Sequence, residues 1–423
     1  MKHSVEVIKL RTGAEGLLVD VPMATVMNMR VAFRAGLRYA KTRDVYEIAH
    51  VMEHLGFGAN AQFKDEQAYE AEFTKNGAYH NAWTSDYTVC YETECADFEW
   101  QRILDLKRVA ICSPKFTEDE LKSEKSNVRA ELTGYMNDYY RLIWPRLQMS
   151  IGEDVADLPE RVKTLSNIEV KNIREHYRRT HTASNMRFVI AGRVKKRKRQ
   201  ILKNLERWNL EEGVRLEIPQ DELKTTEPIL IRRKDANNIT FGFSFITPRH
   251  LGIDELHEME ILNHIITGTM NSRIFGEARK RGLVYNLQSV LTNSANDASW
   301  DFDGEVNVEN IVPLFELIQT EMVKILNGEV LDEEIAAAKS YALGRYQMGA
   351  QTVGQIADYY AENYFTSGEI ENYNIIPDVI NSVTKAKVVE LARELGGSGI
   401  RGFVAVGNCG VELIREVAGK LRL

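Results

Sequence analysis

Residues 45–57, VYEIAHVMEHLGF, set His50 and His54 four positions apart with Glu53 between them. Apolar residues recur through the segment at helical spacing, so it predicts a helix. On a helix, residues four apart project from one face, one turn apart. Two imidazoles so placed can hold one zinc ion at roughly 2.0–2.1 Å. Glu53 stands beside them, within reach of a water activated by that ion and suited to take its proton. This spacing is more demanding than a histidine pair alone, yet a catalytic zinc needs a third protein ligand and an open fourth position.

The longest helical stretch of the chain supplies candidates for that third ligand. Thr117 with Glu120 three residues on reads as a capping box, and the helix is expected to run to about Tyr140. It carries Glu118, Glu120, Glu124 and Glu131. Glu124 and Glu131 lie two turns apart on one face, so one can bind the ion while the other orients a ligand imidazole. Alone, such a row of acids is an ordinary solvated helix face. Its weight comes from the histidine motif upstream.

Around these two helices the periodicities alternate. Residues 5–10, 17–21, 27–33, 89–94 and 186–191 read as strands, and 66–76, 98–112 and 168–179 as helices. The second half repeats the order. Strands are expected at 229–233, 239–245, 285–291 and 300–306, and helices at 254–266, 312–326, 332–347 and 354–364. TEDELKSEKS from Thr117 parallels LDEEIAAAKS from Leu331, and MRFVIAG from Met186 parallels RGFVAVG from Arg401. An offset of about 214 residues in both places points to a duplication. The expected division is therefore 1–207, a linker at 208–228, and 229–423. At that offset Ala338 and Arg345 stand where the first half has Glu124 and Glu131, and Thr267 and Gly268 where it has Glu53 and His54. The second domain is expected to hold no metal, and His264 to be a structural histidine. The count is then one zinc per chain.

Bulk properties narrow the function classes. A chain of 423 residues exceeds one ordinary core and suits two domains. A formal net charge of −7 argues against nucleic acid and anionic membrane as partners. The basic run RVKKRKR at 193–199 has no aromatic interleaving and reads as a solvated turn. No apolar run approaches the roughly 18 residues of a membrane span, and the first residues show no apolar signal core. Four cysteines without a CxxC pair suit a reduced, cytoplasmic setting.

The HxxEH order, the distant helix glutamates and two further stretches together resemble the pitrilysin/insulinase family of zinc peptidases, inverzincins by motif. The likeness is strongest to the short branch that contains the mitochondrial processing peptidase subunits. The two stretches are HNAWTSDYT at 80–88 and SRIFGEARKRGLVY at 272–285. The resemblance implies His50, His54 and Glu131 as zinc ligands, Glu53 as catalytic base and Glu124 behind a ligand. It implies that Asn81, Ala82 and Thr84 lie on an edge strand that pairs with extended substrate. It gives Tyr285 and an arginine, Arg279 or Arg281, electrostatic contacts to substrate and transition state. The loop LGFGAN at 55–60 departs from the family pattern without touching the ligands. The implied fold is α+β, with two similar domains that are each an antiparallel sheet backed by helices, in the LuxS/processing-peptidase-like metallohydrolase class. The implied activity is hydrolysis of peptides or unfolded polypeptide. A homodimer is the simplest assembly, with a heterodimer beside a metal-free homologue as the alternative. A non-catalytic scaffold subunit is the competing reading.

Overall fold

A computed structural model describes residues 1–422, so Leu423, the last residue of the expected second domain, lies outside the described residues. The chain forms two compact units, each a mixed sheet backed by helices. The first sheet is built from β1 (Ser4–Lys9), β2 (Glu15–Asp20), β3 (Val26–Arg34), β4 (Tyr79–Thr84), β5 (Thr88–Ala96) and β6 (Met186–Gly192), in the order β1-β2-β6-β3-β5-β4. The second contains β7 (Ile229–Arg232), β8 (Ile239–Thr247), β9 (Val284–Asn293), β10 (Ala298–Val306) and β11 (Ile400–Gly407), in the order β7-β11-β8-β10-β9. Removing β1 from the first order leaves the topology of the second. Both sheets are antiparallel except for one pair each, β2 with β6 and β7 with β11. These parallel neighbours are the ones joined by long crossovers, as parallel pairing requires.

Residue alternation sets which face is covered. On β8, Phe241, Phe243 and Phe245 are at most 2% exposed and pack against Phe302 and Phe315. The Ile311–Leu326 helix brings Phe315 to that face. The residues between point the other way, where the Tyr139–Ser150 helix lies close on the sheet. A Cβ at Gly242 would fall 2.6 Å from Ile143 Cγ2, so glycine there permits the close approach. This helix differs from expectation. The long acidic helix ends at Tyr135, and Asp138 caps a new one by accepting from the backbone N–H of Tyr140 and Arg141.

The two units are consequently not the two halves of the sequence. The first comprises Met1–Gly134, Pro159–Pro219 and Gly349–Glu371, and the second takes Tyr135–Leu158, Gln220–Met348 and the chain from Asn372. Within the first unit the Val353–Thr366 helix packs on β3 and β6. Arg30 of β3 ties it down, pairing with Asp358 at 2.5 Å and with Glu92 of β5 at 2.6 Å.

Candidate metal centre

The motif occupies a short helix, Ile48–Leu55, whose residues are nearly all buried in the first unit. Helical phase brings the two imidazoles together, with ring centroids 4.9 Å apart and Nε2 atoms 3.3 Å apart. The Glu118–Tyr135 helix brings a carboxylate to the same point. Glu131 Oε2 lies 3.5 Å from His50 Nε2 and 3.7 Å from His54 Nε2. Ligand bonds of 2.0–2.2 Å at tetrahedral angles imply donor separations of roughly 3.3–3.6 Å. Two of the separations, 3.3 and 3.5 Å, fall in that range and the third, 3.7 Å, lies just above it, and the donor set of two imidazoles and one carboxylate suits zinc. Among the described residues, His50, His54 and Glu131 are the group of three whose donor atoms converge in this way.

The outward nitrogens are also held. His50 Nδ1 bonds Glu47 Oε1 at 2.7 Å, and His54 Nδ1 bonds Glu124 Oε2 at 2.9 Å. A carboxylate on Nδ1 keeps the proton there and leaves the Nε2 lone pair for a metal. Glu47 was not singled out from the sequence. It stands three residues before His50, fully buried, and Arg161 meets it with two hydrogen bonds of 2.7 Å. Burial works against protonation of both imidazoles, but Glu131 with Glu47 at His50, and Glu124 with Glu131 at His54, override it and raise both pKa values.

Glu53 is 7% exposed, and its Oε2 accepts a 2.8 Å hydrogen bond from Thr84 Oγ1. Burial raises its pKa despite His50 and Thr84, which favours a carboxyl able to accept and return a proton. Thr84 ends β4, the edge strand of the first sheet. Asn81 and Ala82 lie on the same strand, opposite Glu92 and Tyr91 of β5. The departing loop has a role in this arrangement. Glu120 accepts from the backbone N–H of Ala59 at 2.6 Å, and a Cβ at Gly58 would sit 2.8 Å from Glu120 Oε1. The loop thereby joins the two ligand-bearing helices.

The residues expected to meet substrate from the second half lie in the second unit. Tyr285 is 82% exposed at the start of β9. The Arg279 guanidinium sits 4.7 Å over its ring and donates to its carbonyl at 3.3 Å. Both line a cleft of about 470 Å³ together with Asn286 and Glu305. Arg281 instead pairs with Glu277 at 2.8 Å. His264 packs edge-on against Tyr341, and no metal-holding cluster forms around it among the described residues.

A family model described as insulinase (peptidase family M16) matches residues 17–151, and one described as peptidase M16 inactive domain matches residues 167–341. The chain is 22% identical over 397 residues to the uncharacterized zinc protease YmxG of Bacillus subtilis, covering 91% of this chain and 94% of that protein. It is 22% identical over 179 residues to the mitochondrial-processing peptidase subunit beta of Neurospora crassa, covering 41% and 37%. A crystal structure of a peptidase M16 inactive domain from Pseudomonas fluorescens shares the fold, with TM-score 0.85 at 16% identity, covering 96% of this chain and 98% of that one.

Proposed function

Because this chain belongs to the insulinase family (peptidase family M16), we propose that it is a zinc-dependent endopeptidase that hydrolyses peptides or unfolded polypeptide. The observation that carries this reading is the convergence of His50, His54 and Glu131 at close to tetrahedral edge distances, with Glu53 buried beside them. His50, His54 and Glu131 would hold one zinc per chain. Bound there, zinc supplies a Lewis acid that activates water and polarises a carbonyl. Glu53, oriented by Thr84, takes the proton of the attacking water and returns it to the leaving amine. The free edge of β4 offers main-chain groups to an extended peptide, with Asn81 and Ala82 in the paired stretch. Tyr285 with Arg279, or Arg281, keeps the proposed electrostatic role toward the transition state. All four cysteines are free, and burial pushes the thiols of Cys90, Cys95 and Cys112 up to about 12. That chemistry fits a reducing, cytoplasmic setting. The proposed assembly is a homodimer, or a heterodimer with a metal-free homologue.

The test is a mixed peptide pool incubated with wild type and with Glu53→Gln, read by mass spectrometry, beside metal analysis of wild type and His54→Ala. The expected result is about one zinc in the wild type, none in His54→Ala, and cleavage lost in Glu53→Gln. A well-folded wild type without zinc or cleavage would make the chain a scaffold subunit.

A further inference from the structure

We propose that Arg161, acting through Glu47, is a positioning residue that sets the ring of His50 for metal; this rests on the zinc reading above. Glu47 caps the start of the Ile48–Leu55 helix, but its side chain turns inward and its carboxylate is fully buried. Three hydrogen bonds of 2.7 Å reach that carboxylate: Arg161 Nε to Oε2, Arg161 Nη2 to Oε1, and His50 Nδ1 to Oε1. The guanidinium grips both oxygens in a planar fork, so the carboxylate can neither rotate nor slide. An imidazole hydrogen-bonded to a fixed oxygen has its plane fixed as well. Its other nitrogen then points where His54 Nε2 and Glu131 Oε2 converge.

Arg161 is itself well anchored, although it lies 114 residues along the chain from Glu47. It sits on the Leu158–Thr164 helix. On the same helix Glu160 pairs with Arg43 through bonds of 2.7 and 2.8 Å, and Thr164 Oγ1 accepts from the Glu47 backbone N–H at 3.3 Å. Three successive contacts thus bind this helix to the segment entering the motif. The other ligand arm is built differently. Glu124 behind His54 is 15% exposed, and it also accepts from Asn127 Nδ2 at 3.2 Å. Water can substitute there. At Glu47, which is fully buried, losing Arg161 removes the guanidinium that meets both oxygens, and the carboxylate must shift its side chain or draw water into the interior. Either movement turns the ring of His50.

The test uses the full chain as wild type, Arg161→Met, Glu47→Gln, the double variant and Arg161→Lys. Zinc affinity is measured by competition with a chelating dye, and the site is loaded with cobalt(II) to read its ligand-field absorption. The expected result is a loss of about 10–100-fold in metal affinity for each single variant, with a shifted cobalt band. The double variant should lose no more than the weaker single, because both changes break one chain of contacts. Arg161→Lys, which keeps the charge but not the fork, should recover part of the affinity. A merely structural role would lower the melting temperature of the metal-free protein and leave the cobalt band in place. Arg161→Met with wild-type affinity and spectrum, or losses that add in the double variant, would overturn the inference. If Arg161→Met does not fold, Arg161→Lys decides, and an unaltered affinity and band there overturn it equally. A wild type that binds neither ion overturns the zinc reading, and this inference with it.

Discussion

His50 and His54 turn Nε2 atoms only 3.3 Å apart toward one carboxylate, an arrangement that holds protons in the absence of metal. Both imidazoles titrate above their ordinary value because carboxylates surround them. For the metal-free protein the sign is fixed. Raised histidines contribute stability that is fully present below about pH 6.5 and lost as pH climbs through the raised values. For zinc the dependence is opposite, since the ion must displace what these rings hold. Affinity should rise with pH between 6 and 8, with at least one proton released per ion. Calorimetry in buffers of different ionisation enthalpy counts that proton, and a buffer-independent heat would refute the prediction. The histidine pair was legible in the sequence because it depends only on local spacing. Glu47 is just as local, yet an acid before a helix is usually solvated. Only its burial against Arg161, far along the chain, separates the two cases. The glutamates divide similarly: sequence places Glu124 and Glu131 on one face, but which meets Nδ1 and which faces Nε2 depends on how two helices are phased against each other.

Elements with one strong period were the readable ones. The strand expected at 239–245 is β8, and the helix expected at 332–347 is Asp332–Met348. The Tyr139–Ser150 helix was not read separately, because Pro145 lies inside it and its apolar side serves a sheet formed about a hundred residues later. Its fit makes a prediction about glycines. Gly242 leaves no room for a methyl beside Ile143, whereas Gly344, within the Asp332–Met348 helix, has nothing within 4 Å of a built Cβ. Gly242→Ala should therefore destabilise by about 1–3 kcal/mol through overpacking. Gly344→Ala should stabilise by about 0.5–1 kcal/mol by removing backbone freedom from the unfolded chain. Both lie in the second unit, so denaturant midpoints of the two variants are directly comparable. A Gly242→Ala midpoint at or above that of wild type would contradict the close helix–sheet contact.

At the scale of the molecule, the repeat offset anticipated that β6 and β11 would occupy matching places, and they do, each beside its sheet's parallel neighbour. What the offset does not reveal is that the segment at 135–158 joins the second unit and 349–371 the first. Self-similarity marks what was copied, not what packs together. This division has a consequence for metal removal. His50, His54, Glu131 and the groups behind them all belong to the first unit, while each unit has its own sheet and core. A ligand stabilises the state that binds it by RT ln(1 + [L]/Kd), so bound zinc should add stability only where its donors are. Chelation should accelerate amide hydrogen exchange in the Ile48–Leu55 and Glu118–Tyr135 helices and leave the core of β8 and β10 protected as before. Mass-resolved exchange with and without a chelator measures both sets together. Equal loss of protection in the second sheet would show that the ion's contribution is not confined to the three donors assigned to it.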